Sequence, residues 1–129
     1  MKFTHTILYV KSVERSVRFY EAAFGLSARF VHESGDYAEM ETGDVSLAFV
    51  ALALAKENLP LGFRDPDPKD RAPAIELTFT TDDVAAAYEK AVEAGALRLR
   101  PAAEKAWGQT VAYVRDPDGV LIELASPIQ

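Results

Sequence analysis

Three side chains in this sequence combine type and setting in a way that suits chemistry: His5, Glu76 and Glu123. Each lies in a run of β-branched, aromatic and aliphatic residues that reads as a strand. Alternation along a strand puts His5 on one face with Phe3, Ile7 and Tyr9, while Leu8 and Val10 turn to the other. By the same rule Glu76 shares a face with Thr78 and Thr80, and Glu123 projects with Leu121 and Ala125. A carboxylate flanked by apolar neighbours is costly to bury unless it is paired or bound to a metal. Carboxylates and imidazole are also the usual general bases. Cysteine is absent, which excludes disulfides, thiolate metal sites and thiol nucleophiles. The aromatic residues Phe3, Tyr9, Tyr37, Phe63, Trp107 and Tyr113 are candidates to line a pocket around these groups. Trp107 sits in a glycine-bounded loop as an amphipathic ring, and Gln109 beside it can orient a polar group.

The elements that must position these residues occur twice. Lys2 to Val10 reads as a strand, Ser12 as a helix N-cap, and Val13, Val17, Tyr20 and Phe24 as one apolar helical face closed by Gly25. Moving on by 71 positions, from His5 to Glu76, the pattern returns. Ala74 to Thr81 is the strand, Asp83 the cap, and Val84, Ala87, Tyr88, Ala91 and Val92 the stripe, with Gly95 as the stop. Three strands follow each helix: Ala28 to Glu33, Tyr37 to Glu41 and Val45 to Ala51, then Ala96 to Arg100, Thr110 to Arg115 and Val120 to Ala125. Glycine, proline and aspartate supply the turns between them. The expectation is an α+β chain of two βαβββ repeats, 1–52 and 74–129, whose strands form a curved mixed sheet around a shared cavity. The 53–73 connector contains a short helix over Ala53 to Leu59 and the charged, proline-stiffened stretch Arg64 to Arg71. It reads either as a solvated linker or as a lid carrying Phe63 and Arg64.

At 129 residues and 49% hydrophobic the chain is one domain's worth of core. Its net charge of −6 argues against nucleic acid and favours neutral or cationic small molecules. No apolar run approaches a membrane span, and the start lacks a small-residue cleavage site, so a cytoplasmic protein with no membrane partner is expected.

In combination, four stretches resemble the vicinal-oxygen-chelate superfamily of glyoxalases, bleomycin-resistance proteins and extradiol dioxygenases. They are the start His5-Thr6-Ile7-Leu8-Tyr9-Val10, the helix Arg18-Phe19-Tyr20 leading to Phe24-Gly25-Leu26, Trp107-Gly108-Gln109-Thr110, and Asp116-Pro117-Asp118-Gly119 with Glu123. The resemblance covers nearly the whole chain. It implies metal ligands on the first and last strands of each repeat, at positions 5, 48, 76 and 123. The internal repeat agrees, placing Glu76 opposite His5 and Ala48 opposite Glu123. Ala48 departs from the pattern and leaves three ligands, His5, Glu76 and Glu123, with open positions for water or substrate. One imidazole and two carboxylates suit Mn, Co, Ni, Fe or Zn.

The function so implied is a metal-dependent lyase or isomerase of the glyoxalase type, acting on a small vicinal-oxygen substrate, with Glu76 or Glu123 as general base. A bleomycin-resistance-type binding protein without chemistry is the first alternative, and the acidic charge suits it. An Fe(II) extradiol dioxygenase is the second, weakened because Glu76 stands where a second histidine belongs. Open sheet edges predict a homodimer.

Overall fold

A computed structural model of the chain describes residues 1–128. The chain divides into two compact units, Met1–Glu21 with Gly25–Pro66, and Ala22–Phe24 with the chain from Asp67 onward.

In the first unit β1 (His5–Val10) leads into α1 (Val13–Phe24), then β2 (Ala28–Val31), β3 (Tyr37–Met40), β4 (Ser46–Ala51) and α2 (Leu52–Asn58). The cap read from sequence forms: Ser12 accepts from the Arg15 amide at 3.1 Å, satisfying a first-turn N–H that has no helical partner. Gly25 ends the helix at φ 69°, the left-handed conformation that glycine adopts without a Cβ penalty. The sheet runs β1-β4-β3-β2, with β1 parallel to β4 and the other pairs antiparallel. Val10, Met40, Leu47 and Phe49 turn to the helix side and are buried there with Val13, Val17 and Tyr20. The Tyr20 ring meets Phe49 at 5.1 Å. Each such side chain contributes about 1.5–3 kcal/mol through burial.

The second unit repeats the plan with β5 (Glu76–Thr80), α3 (Val84–Glu93), β6 (Leu97–Glu104), β7 (Thr110–Arg115) and β8 (Leu121–Ala125). Its order, β5-β8-β7-β6, is that of the first sheet. Asp83 caps α3 by accepting from the Ala86 amide at 3.0 Å. Val84, Tyr88 and Ala91 bury against Ala112, Val114, Ile122 and Leu124. The α+β architecture of two βαβββ repeats therefore holds, with the strands falling into two open four-stranded mixed sheets.

Several element bounds differ by a residue or more from expectation, and those of β1, β5 and β6 do so for physical reasons visible in the strand pairing. β1 starts at His5 because its partner β4 starts at Ser46, leaving Lys2 and Phe3 exposed. β5 likewise starts at Glu76, opposite Leu121 of β8. β6 runs on through Pro101 to Glu104, because an edge strand interrupted by register shifts tolerates a missing N–H.

The connector is held at both ends. Within the first unit Lys56 pairs with Asp65 at 3.0 Å, and the Phe63 ring meets Tyr9 edge-on at 4.8 Å. Within the second, the buried Arg115 guanidinium donates to the carbonyls of Pro68 (3.0 Å), Asp70 (2.7 Å) and Gly119 (2.8 Å). The Asp116-Pro117-Asp118-Gly119 turn makes this possible. Asp116 accepts from the amides of Asp118 and Val120, both at 2.9 Å. Gly119, at φ 97°, has no room for a side chain, since a Cβ there would lie 2.7 Å from the Arg115 guanidinium and 3.0 Å from Pro68 Cα. Among the described residues no helix is long and apolar enough to cross a membrane.

Candidate functional site

His5, Ile7 and Tyr9 on β1, Ser46, Ala48 and Val50 on β4, and Tyr37 and Glu39 on β3 share the face of the first sheet turned away from the core, as the cross-strand register requires. His5 pairs with Ser46, Glu39 with Ala48, and β4 lies between their strands. With only a methyl group at position 48, nothing stands between the two longer side chains, and they meet over β4. His5 Nε2 lies 3.1 Å from Glu39 Oε2, and His5 Nδ1 lies 2.8 Å from the Thr4 hydroxyl. The Tyr37 hydroxyl donates to the same Glu39 oxygen at 2.6 Å. That hydroxyl bond, together with the His5 ring and against the opposing effect of burial, holds the Glu39 carboxyl below the usual carboxylate range. Burial and the bond to Glu39 push the Tyr37 phenol up to about 12.

The second sheet presents Glu76 and Thr78 on β5, Glu123 on β8 and Tyr113 on β7. Thr78 pairs directly with Glu123, and Glu123 with Tyr113. The single Thr78 hydroxyl lies 3.3 Å from Glu76 Oε2 and 3.3 Å from Glu123 Oε1, so one proton serves two carboxylates. The Tyr113 hydroxyl donates to Glu123 Oε2 at 2.7 Å. That bond first, then burial and the charges of Glu123 and Glu76, push the Tyr113 phenol up to about 12, against the opposing charge of Arg100.

Of the remaining pocket candidates, Tyr9 shares the face of the first sheet that carries His5 and Tyr37. It packs against Phe63. Trp107 and Gln109 form a pair of their own, with the indole N–H donating to Gln109 Oε1 at 2.9 Å and Gln109 Nε2 donating to the Ser126 carbonyl at 2.9 Å. They line a cavity of about 300 Å³ with Gly108, Ser126, Pro127 and Ile128.

The structure thus brings His5 and Tyr37 together through Glu39, and Glu76, Glu123 and Tyr113 together around Thr78. Glu39 was not singled out from sequence, although its alternation with Tyr37 on β3 was a usable signal. Among the described residues no three His, Asp or Glu side chains gather as a ready metal site. Each unit instead offers a pair of donors, imidazole with carboxylate in one and two carboxylates in the other. Such donors fit a borderline divalent cation.

The family model for the Glyoxalase/Bleomycin resistance protein/Dioxygenase superfamily matches residues 2–124. The chain is 31% identical over 129 residues to a lactoylglutathione lyase of Escherichia coli O157:H7, across 96% of this chain and 91% of that protein. It is 26% identical over 125 residues to the uncharacterized protein YraH of Bacillus subtilis (strain 168), across 96% of this chain and 97% of that one. Among solved structures, a glyoxalase-related enzyme from Fulvimarina pelagi superposes with a TM-score of 0.85 at 25% identity, over 98% of this chain and 88% of that one.

Proposed function

The chain belongs to the Glyoxalase/Bleomycin resistance protein/Dioxygenase superfamily, and on that premise we propose that it is a metal-dependent lyase or isomerase of the glyoxalase type. Its substrate is a small molecule with two neighbouring oxygens, one of them a carbonyl. The observation that carries this reading is the pair of carboxylates, Glu76 and Glu123, drawn to one hydroxyl on an open sheet face. Two carboxylates aimed at one point are a ready pair of oxygen donors for a divalent cation. His5, Glu76 and Glu123 are the proposed ligands of a divalent ion (Mn, Co, Ni, Fe or Zn). When bound, such an ion supplies Lewis-acid polarisation of the substrate oxygens.

The chain's own residues do the rest. Glu123 accepts hydroxyl bonds from Tyr113 and Thr78, which fix its orientation. Among the described residues Glu76 shares only the Thr78 hydroxyl and keeps lone-pair capacity for an incoming proton, so it is the proposed general base on the substrate carbon. The Tyr113 phenol, held protonated to about 12, stays a donor throughout. Trp107 and Gln109 are proposed substrate contacts. The working form is a homodimer, because the edge strands β2 and β6 carry the exposed residues Phe30, Val31, Leu97 and Leu99. A strict monomer in light scattering at high micromolar concentration contradicts that part.

Calorimetry of metal-stripped protein titrated with Mn, Co, Ni and Zn tests the reading. Heat of binding and a raised melting temperature are expected with at least one ion. Glu123→Ala should lose most of that response, and adding Glu76→Ala should change little more. No heat and no thermal shift with any ion would end the metal-enzyme reading in favour of a binding protein. Oxygen uptake with catechols would favour the dioxygenase instead.

A further inference from the structure

The registers of β1-β4-β3 and β5-β8-β7 superimpose residue by residue. His5 and Glu76 open their sheets at the same place, His5 opposite Ser46 and Glu76 opposite Leu121. Two residues on, Ile7 faces Ala48 as Thr78 faces Glu123. On the next strand Glu39 faces Ala48 as Tyr113 faces Glu123. By this map the first unit lacks a carboxylate on its central strand β4 and has one on β3 instead, in the place that the second unit gives to a phenol. The displaced carboxylate still reaches the first-strand group: Glu39 Oε2 lies 3.1 Å from His5 Nε2. Two ligands at about 2.1 Å from one cation, at close to a right angle, lie about 3 Å apart. The observed pair has that spacing without any movement of the backbone. The carboxylate is also set apart from ordinary surface glutamates, because its side chain is 12% exposed while His5 remains 38% exposed beside it.

We propose that Glu39 is a further metal ligand, and that His5 Nε2 and Glu39 Oε2 act together as a pair of donors to a divalent cation, Glu39 replacing the carboxylate that Ala48 cannot supply. This inference rests on the metal-dependent reading above and adds a ligand to it. Tyr37 is then a positioning residue, its hydroxyl fixing the same Glu39 oxygen that meets the histidine.

Glu39→Gln separates a ligand from a residue that only orients His5. The amide is isosteric, so it fills the same space and still offers the His5 N–H and the Tyr37 hydroxyl an oxygen acceptor. It is a poor ligand for Co, Ni or Zn. Metal-stripped wild type and Glu39→Gln are titrated with Co(II), following heat and the visible absorption of the bound ion. The expected result is a loss of affinity of about 100-fold or more together with a changed Co(II) spectrum, since one donor has been exchanged. Unchanged affinity, or weaker binding with an unchanged spectrum, overturns the assignment and leaves the proposed function standing. Wild type that takes up no ion removes the proposed function itself, and this inference with it.

Discussion

The two units share a strand order, a helix cap and a cross-strand register, yet they deliver their carboxylates from different strands. In the second unit Glu123 and Tyr113 are direct cross-strand partners and Thr78 completes the row. In the first, tyrosine and carboxylate stand two residues apart on β3, and the central strand offers only Ala48. A repeated backbone therefore conserves positions, whereas a long side chain beside a small one can move a chemical group by one strand. The turns before β4 and β8 diverge too. Gly119 packs against Arg115 and the connector, while Gly43 near the start of β4 meets nothing within 4 Å.

The largest break in this comparison is expected at those glycines. Gly119→Ala forces a side chain to a positive φ and into the guanidinium and Pro68. It should cost about 2–4 kcal/mol. Gly43→Ala, at φ 92° in open space, carries only the backbone strain, about 1–2 kcal/mol. Urea unfolding of the two variants measures the gap, and equal losses would mean that the crowding at Gly119 is relieved at no cost.

The phenols come next. Tyr113→Phe and Tyr37→Phe each remove a hydroxyl bond to a partly buried carboxylate, and should each lower stability by about 1 kcal/mol without metal. A double-mutant cycle showing the two losses to be additive would confirm that the clusters act independently. The smallest effect is on titration. Both phenols rise from 10.0 to about 12 in the folded chain. The folded value lies above the unfolded one, so the stability involved is complete below pH 10.0 and is lost as pH climbs towards about 12. Ultraviolet titration should lose one late-appearing phenolate in each phenylalanine variant.

Much of the fold was legible because its signals are local. Ser12 and Asp83 announced their helices, Gly25 ended one of them, and α1 runs over the residues that its apolar spacing marks. Strand starts were less legible, because β1 and β5 begin where their partners β4 and β8 allow, and those partners lie about forty residues further along the chain. Alternation placed His5, Glu76 and Glu123 on the faces where they are found. The contact between His5 and Glu39 was not legible, since it depends on β4 lying between β1 and β3 and on Ala48 leaving the way clear. Strand order is a property of the whole sheet, and no short window of sequence contains it.

The grip of Arg115 on the Pro68 and Asp70 carbonyls has a consequence for protein engineering. A guanidinium that holds main-chain oxygens does not read the side chains it holds, so the identities of residues 68–70 can drift while their path stays fixed. A split-protein or circularly permuted version should be opened ahead of Asp67, where the severed end keeps its anchor. Opened between Pro68 and Asp70, the same cut would loosen two of the three carbonyls that hold a buried cation.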